Sequence, residues 1–222
     1  MSTVSFGEKS WEEESASGNG KSDFFNMKDD GQYHLRIVGK PHEFAAHWVE
    51  SGTVKRKVNC AGKDCVLCAK KIKASIRYFI PVILRKGPGI TEGANTIAVT
   101  EFGPQVYGHV RSLYQTPDWG NPTNYDIMVD KNYKGRGPSG TYLVIPTKTI
   151  PLSDEEKAGA AEFIERLKLK ELSAPLTNEL IIDKLGPDIS AALGLSLDSS
   201  NSNPAAEFDY EKETSSAYDF SS

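Results

Sequence analysis

The chain has 222 residues, 38% hydrophobic and 25% charged, with three cysteines and a formal net charge of −4. That is enough for one ordinary core with appendages; no stretch approaches the roughly 20 apolar residues of a membrane-spanning helix. The opening MSTVSFGEKSWEEE lacks the basic-then-apolar pattern of a secretory signal, so the expected location is the cytoplasm.

Charge is distributed unevenly. Residues 1–30 hold three basic and seven acidic side chains, residues 31–150 seventeen and eight, and residues 151–222 six and fifteen. A middle of +9 between ends of −4 and −9 predicts a polyanionic partner for the middle and a separate role for the tail.

In chain order, residues 1–22 are rich in Ser, Glu and Gly and read as a disordered arm. From Tyr33 to Val38 apolar and polar residues alternate as in a strand, ended by Gly39, Lys40 and Pro41; Glu43 to Val49 reads as a second strand. Lys70 to Ala74 suggests a helical turn. Arg77 to Arg85 (RYFIPVILR) is the strongest apolar run and reads as a buried strand, with Pro81 marking a bulge or an edge. Asn95–Phe102, Tyr125–Asp130 and Thr141–Ile145 complete the strands, with KGRGPSG as a flexible turn before the last.

Short strands within about 120 residues predict a mainly β domain over 23–150, an OB-fold-like small Greek-key barrel, although periodicity leaves a small sandwich open. C-terminal helices follow over 151–197. Ser153–Leu172 begins with Ser153 as N-cap and Glu156 completing a capping box, and Asn178–Leu185 and Ile189–Leu193 flank Gly186 and Pro187. Residues 198–222, mostly Ser, Asn and acids with sparse rings, read as a disordered acidic tail.

All three cysteines fall in NCAGKDCVLC, and two residues between Cys65 and Cys68 form the tight turn that presents two thiolates to one ion. Tetrahedral zinc takes a fourth ligand. His47 is the first choice, because WVESGTVKRKVN between it and Cys60 can form a hairpin; His42 is the second, and His34 inside a strand is a weaker one. Four protein ligands leave no place for an activated water, so the expected cofactor is one structural Zn2+ in an inserted subdomain spanning about 42–73, and no enzymatic activity is expected.

Cations that track phosphates and rings that stack on unpaired bases are what single strands require. The middle of the chain interleaves the two in Lys55, Arg56, Lys57, Lys71, Lys73, Arg77 and Tyr78, in Tyr107, Arg111, Tyr114 and Trp119, and in Lys131, Tyr133, Lys134 and Arg136. Phe79, Phe102 and Tyr142 are assigned to the core. Two other readings stand beside this one. Asp126 and Asp130 could serve a metal-dependent nuclease, and a zinc ribbon could recognise duplex DNA, act in transcription or bind a protein partner. In the tail, Phe208, Asp209, Tyr210, Glu211, Tyr218, Asp219 and Phe220 combine acids with rings suited to docking on partner proteins.

The GQYHLRIVGKP strand, the His47, Cys60, Cys65, Cys68 set and the basic stretch into RYFIPVILRK resemble the helix-destabilising, single-stranded-DNA-binding proteins of T-even-type tailed bacteriophages. FGPQVYGHVRSLY and NYDIMVDKNYKGRGPSGTYLVIP extend the likeness more loosely, so that it covers roughly 30–150. The resemblance implies an OB-fold core with a structural zinc subdomain and sequence-independent binding of single strands in DNA replication, recombination and repair in the host cytoplasm. It also implies a tail that competes with DNA for the groove and recruits phage replication proteins such as a polymerase, helicase loader or recombinase, with self-association along DNA. Family members carry a basic arm near the N-terminus, whereas this chain opens with an acidic one.

Overall fold

The computed structural model describes residues 23–132, 141–147 and 150–195. The arm 1–22, the loop residues Tyr133, Lys134 and Arg136, and the tail 198–222 with its acids and rings lie outside the described residues.

The strands are β1 (Phe24–Phe25), β2 (Gly31–Ile37), β3 (His42–Ser51), β4 (Val54–Asn59), β5 (Ala74–Lys86), β6 (Thr96–Phe102), β7 (Asp126–Asn132) and β8 (Thr141–Pro146). The helices are α1 (Val66–Ala69), α2 (Pro104–Gln115), α3 (Asp154–Leu167), α4 (Leu169–Leu172), α5 (Asn178–Leu185) and α6 (Pro187–Ala192). The fold is therefore mainly β sheet with some helices, and no helix among the described residues is long and apolar enough to cross a membrane.

Strand β5 organises the sheet. One of its edges pairs with β6, while the other is shared, with β3 along Ala74–Phe79 and β2 along Val82–Lys86. Pro81 sits where the shared edge changes hands. In an extended strand the N and O of a residue point to the same side, and the Pro81 carbonyl accepts from Val38 N–H at 3.0 Å. The nitrogen that cannot donate thus faces the break between β2 and β3, where no ladder bond is lost. Gly39 lies in the same break, and an added Cβ there would come within 2.9 Å of Ile164 Cδ1 and 3.0 Å of Pro81 Cγ.

The ladder continues from β2 to β7 and β8, from β3 to β4, and from β6 to the short parallel β1. Among the described residues the path does not return on itself; α2 packs against β5, β6 and β8 instead. The space so enclosed holds the main core, which includes Tyr33, Leu35, Ile80, Val82, Leu84, Phe102, Val106, Val110, Ile127 and Val129. The opposite face of β5 places Phe79 against Phe44, Phe163 and Leu169. Burial on both faces explains why this strand reads as an unbroken apolar run rather than an alternating one.

Helix α3 is tied to the sheet by charge as well as packing. Arg36, 1% exposed, donates from Nε to Asp126 at 2.5 Å and from Nη2 to the Ile150 carbonyl at 2.6 Å. A buried guanidinium costs several kcal/mol unless its donors are met, and these two bonds meet two of its five while fixing the segment that leads into α3. Arg85 then links Asp126 to Glu156 in the first turn of the helix. Glu156 also completes the capping box with Ser153.

Three local expectations are corrected. Residues 70–73 are not helical: the helical turn is α1, at Val66–Ala69, Lys71 is left-handed at φ 60° and Ala74 already begins β5. The helix from Ser153 breaks at Lys168, φ 46°, separating α3 from α4. Finally, residues 104–115, to which the sequence assigns no element, form α2, with Pro104 in the first helical turn, where no N–H is needed.

Candidate functional site

The hairpin of β3 and β4 carries His47 and returns the chain to Cys60, whose N–H donates to the Ala45 carbonyl at 2.8 Å. The following loop, turning at Gly62 with φ 88°, leads through Cys65 into α1, which presents Cys68. His47 faces this loop because β3 alternates. Phe44, Ala46 and Trp48 point to one side of the sheet, Ala45, His47 and Val49 to the other.

Four donor atoms converge there, from His47, Cys60, Cys65 and Cys68, all within 4.8 Å of one another. Cys65 Sγ is 3.4 Å and Cys68 Sγ 3.6 Å from His47 Nε2, and the Cys60 and Cys68 sulfurs are 3.7 Å apart. Tetrahedral bonds of about 2.3 Å to sulfur and 2.0–2.1 Å to nitrogen separate two sulfurs by about 3.8 Å and a sulfur from a nitrogen by about 3.5 Å. The cluster therefore has the donor set and the spacing for one structural zinc ion. His42, the alternative ligand, lies five residues back along β3 opposite Phe79 and is not in the cluster.

The thiols are already differentiated. The hydrogen bond between Cys60 and Cys65 raises the first and lowers the second, and His47 also favours the Cys65 thiolate. Cys60, Cys65 and Leu67 pack with Val49, Val58, Ile181, Leu185 and Ile189, so the cluster sits in a second core that joins the hairpin to α5 and α6.

On the same face of β5, Ala74, Ile76 and Tyr78 run away from His47. Glu43, Ala45, Ile76, Cys60 and Gly62 line part of a cavity of about 240 Å3, together with Ser173 and Pro175. Two residues along β5 from Ile76, Tyr78 stacks on Tyr107 of α2, with centroids 3.6 Å and planes 17° apart. Burial, with the Glu43 carboxylate beside the hydroxyl, pushes the Tyr78 phenol up, while nearby Arg111 pulls it down. Tyr107, Arg111 and Tyr114 recur at i, i+4 and i+7 of α2 and share one side of it, whereas Val106 and Val110 are buried. Trp119, past the end of the helix, packs edge-on against buried Tyr125 at 5.3 Å.

The remaining site residues are split by the alternation of β4 and β5. Arg56 shares the face of His47 and Tyr78, but Lys55, Lys57 and Arg77 project from the opposite face. Lys55 pairs with Glu50 at 2.7 Å, Lys57 bonds Glu101, and Arg77 approaches Glu101 at 3.8 Å with its guanidinium against Gly103. Lys71 and Lys73 are exposed beside the cysteine loop. Lys131 is a correction. It is 5% exposed and its ammonium donates to the carbonyls of Met27 and Lys28, so it secures the chain before β2 rather than facing a phosphate.

Asp126 is bound by Arg36 and Arg85, and Asp130 accepts from Gln32 at 3.3 Å. Sequence reasoning passed over Trp48 and Glu101. Trp48 is 46% exposed and has Lys57 and Arg77 within 6 Å of its ring, at 5.9 and 5.7 Å. Its signal in the sequence was its place next to His47, since a buried ligand on a strand puts its neighbour on the other face.

No protein-family model matches the chain, and no curated protein matches its sequence significantly.

Proposed function

We propose that this chain is a sequence-independent single-stranded-DNA-binding protein whose cysteine loop is held by one structural zinc. The observation that carries the reading is the Tyr78–Tyr107 stack with Arg111 beside it, on the sheet face that also carries the metal cluster. Rings presented with cations are what a single strand needs, and an α-helix suited to a duplex groove is not required.

Zinc, rather than a redox metal, suits the Cys3His set, and four protein donors leave no coordination position for catalysis. The arginine-bound Asp126 counts against a metal-nuclease reading, so the proposal assigns no catalytic step. An OB-type barrel is the finer fold reading; one long strand, β5, shared between two partners along one edge and enclosing a core with α2, supports it. The resemblance to T-even-type phage proteins extends the proposal to phage replication, recombination and repair in the host cytoplasm, with the acidic tail as the contact for replication proteins.

Fluorescence anisotropy of labelled oligo-dT and a matched duplex, over a salt series and with or without residues 198–222, tests the reading. Single strands should bind far better, and removing the tail should tighten binding. Contact with about five phosphates should give a log–log salt slope of roughly −3.5. A duplex preference would transfer the site to the zinc-ribbon alternative, and a slope near zero would remove its electrostatic half.

A further inference from the structure

The face of the sheet opposite Tyr78 carries a second combination of ring and cations. Along it Phe44 and Ala46 are buried, but Trp48 leaves 46% of its surface open. Lys57 reaches across from β4 until its ammonium lies 5.7 Å from the Phe44 ring, 5.8 Å from Phe79 and 5.9 Å from Trp48. Arg77 approaches Trp48 from β5 at 5.7 Å. Both cations converge on the single carboxylate of Glu101, on β6.

Strand β4 links this face to the other one. It pairs only with β3 among the described residues, so it forms an edge, and its Lys55, Arg56, Lys57 run alternates across that edge. Lys55 and Lys57 lie on the side of Trp48, and Arg56 on the side of His47. Cations thus line both sides of one sheet edge, as a path for a continuous polyanion would require.

We infer that Trp48 is a second base-stacking position, which receives one base of the bound strand while Lys57 and Arg77 exchange Glu101 for the neighbouring phosphate. The inference rests on the single-strand reading above and extends the strand's path round the β4 edge onto the opposite face. Glu101 holds the two cations in place until a phosphate replaces it, and it lowers affinity by competing for them. A base suits this surface because an exposed indole beside cations presents a π-face and charge together.

The test uses the full-length chain with labelled oligo-dT at fixed salt. W48A should weaken binding by about 5- to 150-fold, W48F should recover most of the loss, and E101Q should tighten binding severalfold. Independently, in a W11F/W119F variant the remaining Trp48 emission should be quenched as oligo-dT binds, and this measurement decides the matter if W48A does not fold. Oligo-dT binding by W48A at the wild-type level, or bound oligo-dT with unquenched Trp48, overturns the assignment and leaves the face to a protein partner. E101Q binding no tighter than wild type overturns the competition by Glu101. Failure of the wild-type chain itself to bind oligo-dT would instead overturn the single-strand reading.

Discussion

His47 presents Nε2 3.4 Å from Cys65 Sγ, while its Nδ1 is buried with no hydrogen-bond partner among the described residues. A metal-bound histidine usually donates that second N–H to an acceptor that fixes the ring. Here orientation comes instead from the backbone, through the pairing of His47 with Val58 on one side and Ala74 on the other.

Removing the metal should therefore loosen more than the cysteine loop. Cys60, Cys65 and Leu67 share a core with Ile181, Leu185 and Ile189, and three thiolates and an imidazole without their ion would not stay together there. Even a third of the roughly 10–16 kcal/mol that zinc contributes in finger peptides would lower the melting temperature by about 7–20 °C at this size. One zinc per chain by elemental analysis, and a drop of that order in C65S or after chelation, is the expected result. An unchanged melting curve with no bound metal would remove the structural zinc.

Tyr78 is the ring on which the proposed binding face turns. Replacing it with Leu should weaken oligo-dT binding by about 1–3 kcal/mol while the far-UV circular dichroism stays that of the wild type. Its stack on Tyr107 offers the opposing possibility, since a ring used for packing would lower the melting temperature and leave affinity alone. Anisotropy and thermal unfolding of the same sample separate these two outcomes.

Lys131 and Arg111 make a contrasting pair. Lys131 is buried against the Met27 and Lys28 carbonyls, whereas Arg111 is exposed on α2. K131M should lower stability and leave the salt slope of DNA binding unchanged. R111Q should do the reverse, making the slope shallower by about 0.7 for one lost phosphate contact. A shallower slope in K131M would restore Lys131 to the interface.

The parts of this molecule legible in the sequence are those with local or chemically exclusive causes. The cysteine spacing and the hairpin length brought His47, Cys60, Cys65 and Cys68 to one point, because few other arrangements satisfy three thiols so close in sequence. The Ser153 capping box forms because its two bonds join residues three apart. Helix α2 escaped notice because only Val106 and Val110 are buried, too few to show a helical period against Pro104 and Gly108. Lys131 was misread for a different reason: its partners are backbone carbonyls about a hundred residues away, which carry no sequence signature. The division of Lys57 and Arg77 from Tyr78 follows from strand alternation, yet it becomes visible only once the register of β3, β4 and β5 is known.

The Arg85–Glu156 contact makes a prediction that register could not. Glu156 is held below the ordinary carboxylate range, first by its hydrogen bond from Arg85 and also by the Ser153 N–H. A carboxyl depressed in the folded state adds stability that is present above its unfolded value, near 4.5, and lost as pH falls through the lower folded value. E156Q keeps a side chain able to complete the capping box but removes the charge, so it isolates the arginine contact. A hydrogen bond to a charged group contributes about 1.5–3 kcal/mol, which predicts a melting temperature lower by several degrees at pH 7. The gap to the wild type should narrow as the pH drops below about 4.5 and vanish once Glu156 is protonated in both states. A gap that stayed constant from pH 7 to pH 3 would place the effect of the substitution in packing, and the sheet would then hold α3 through Phe163 rather than through Arg85.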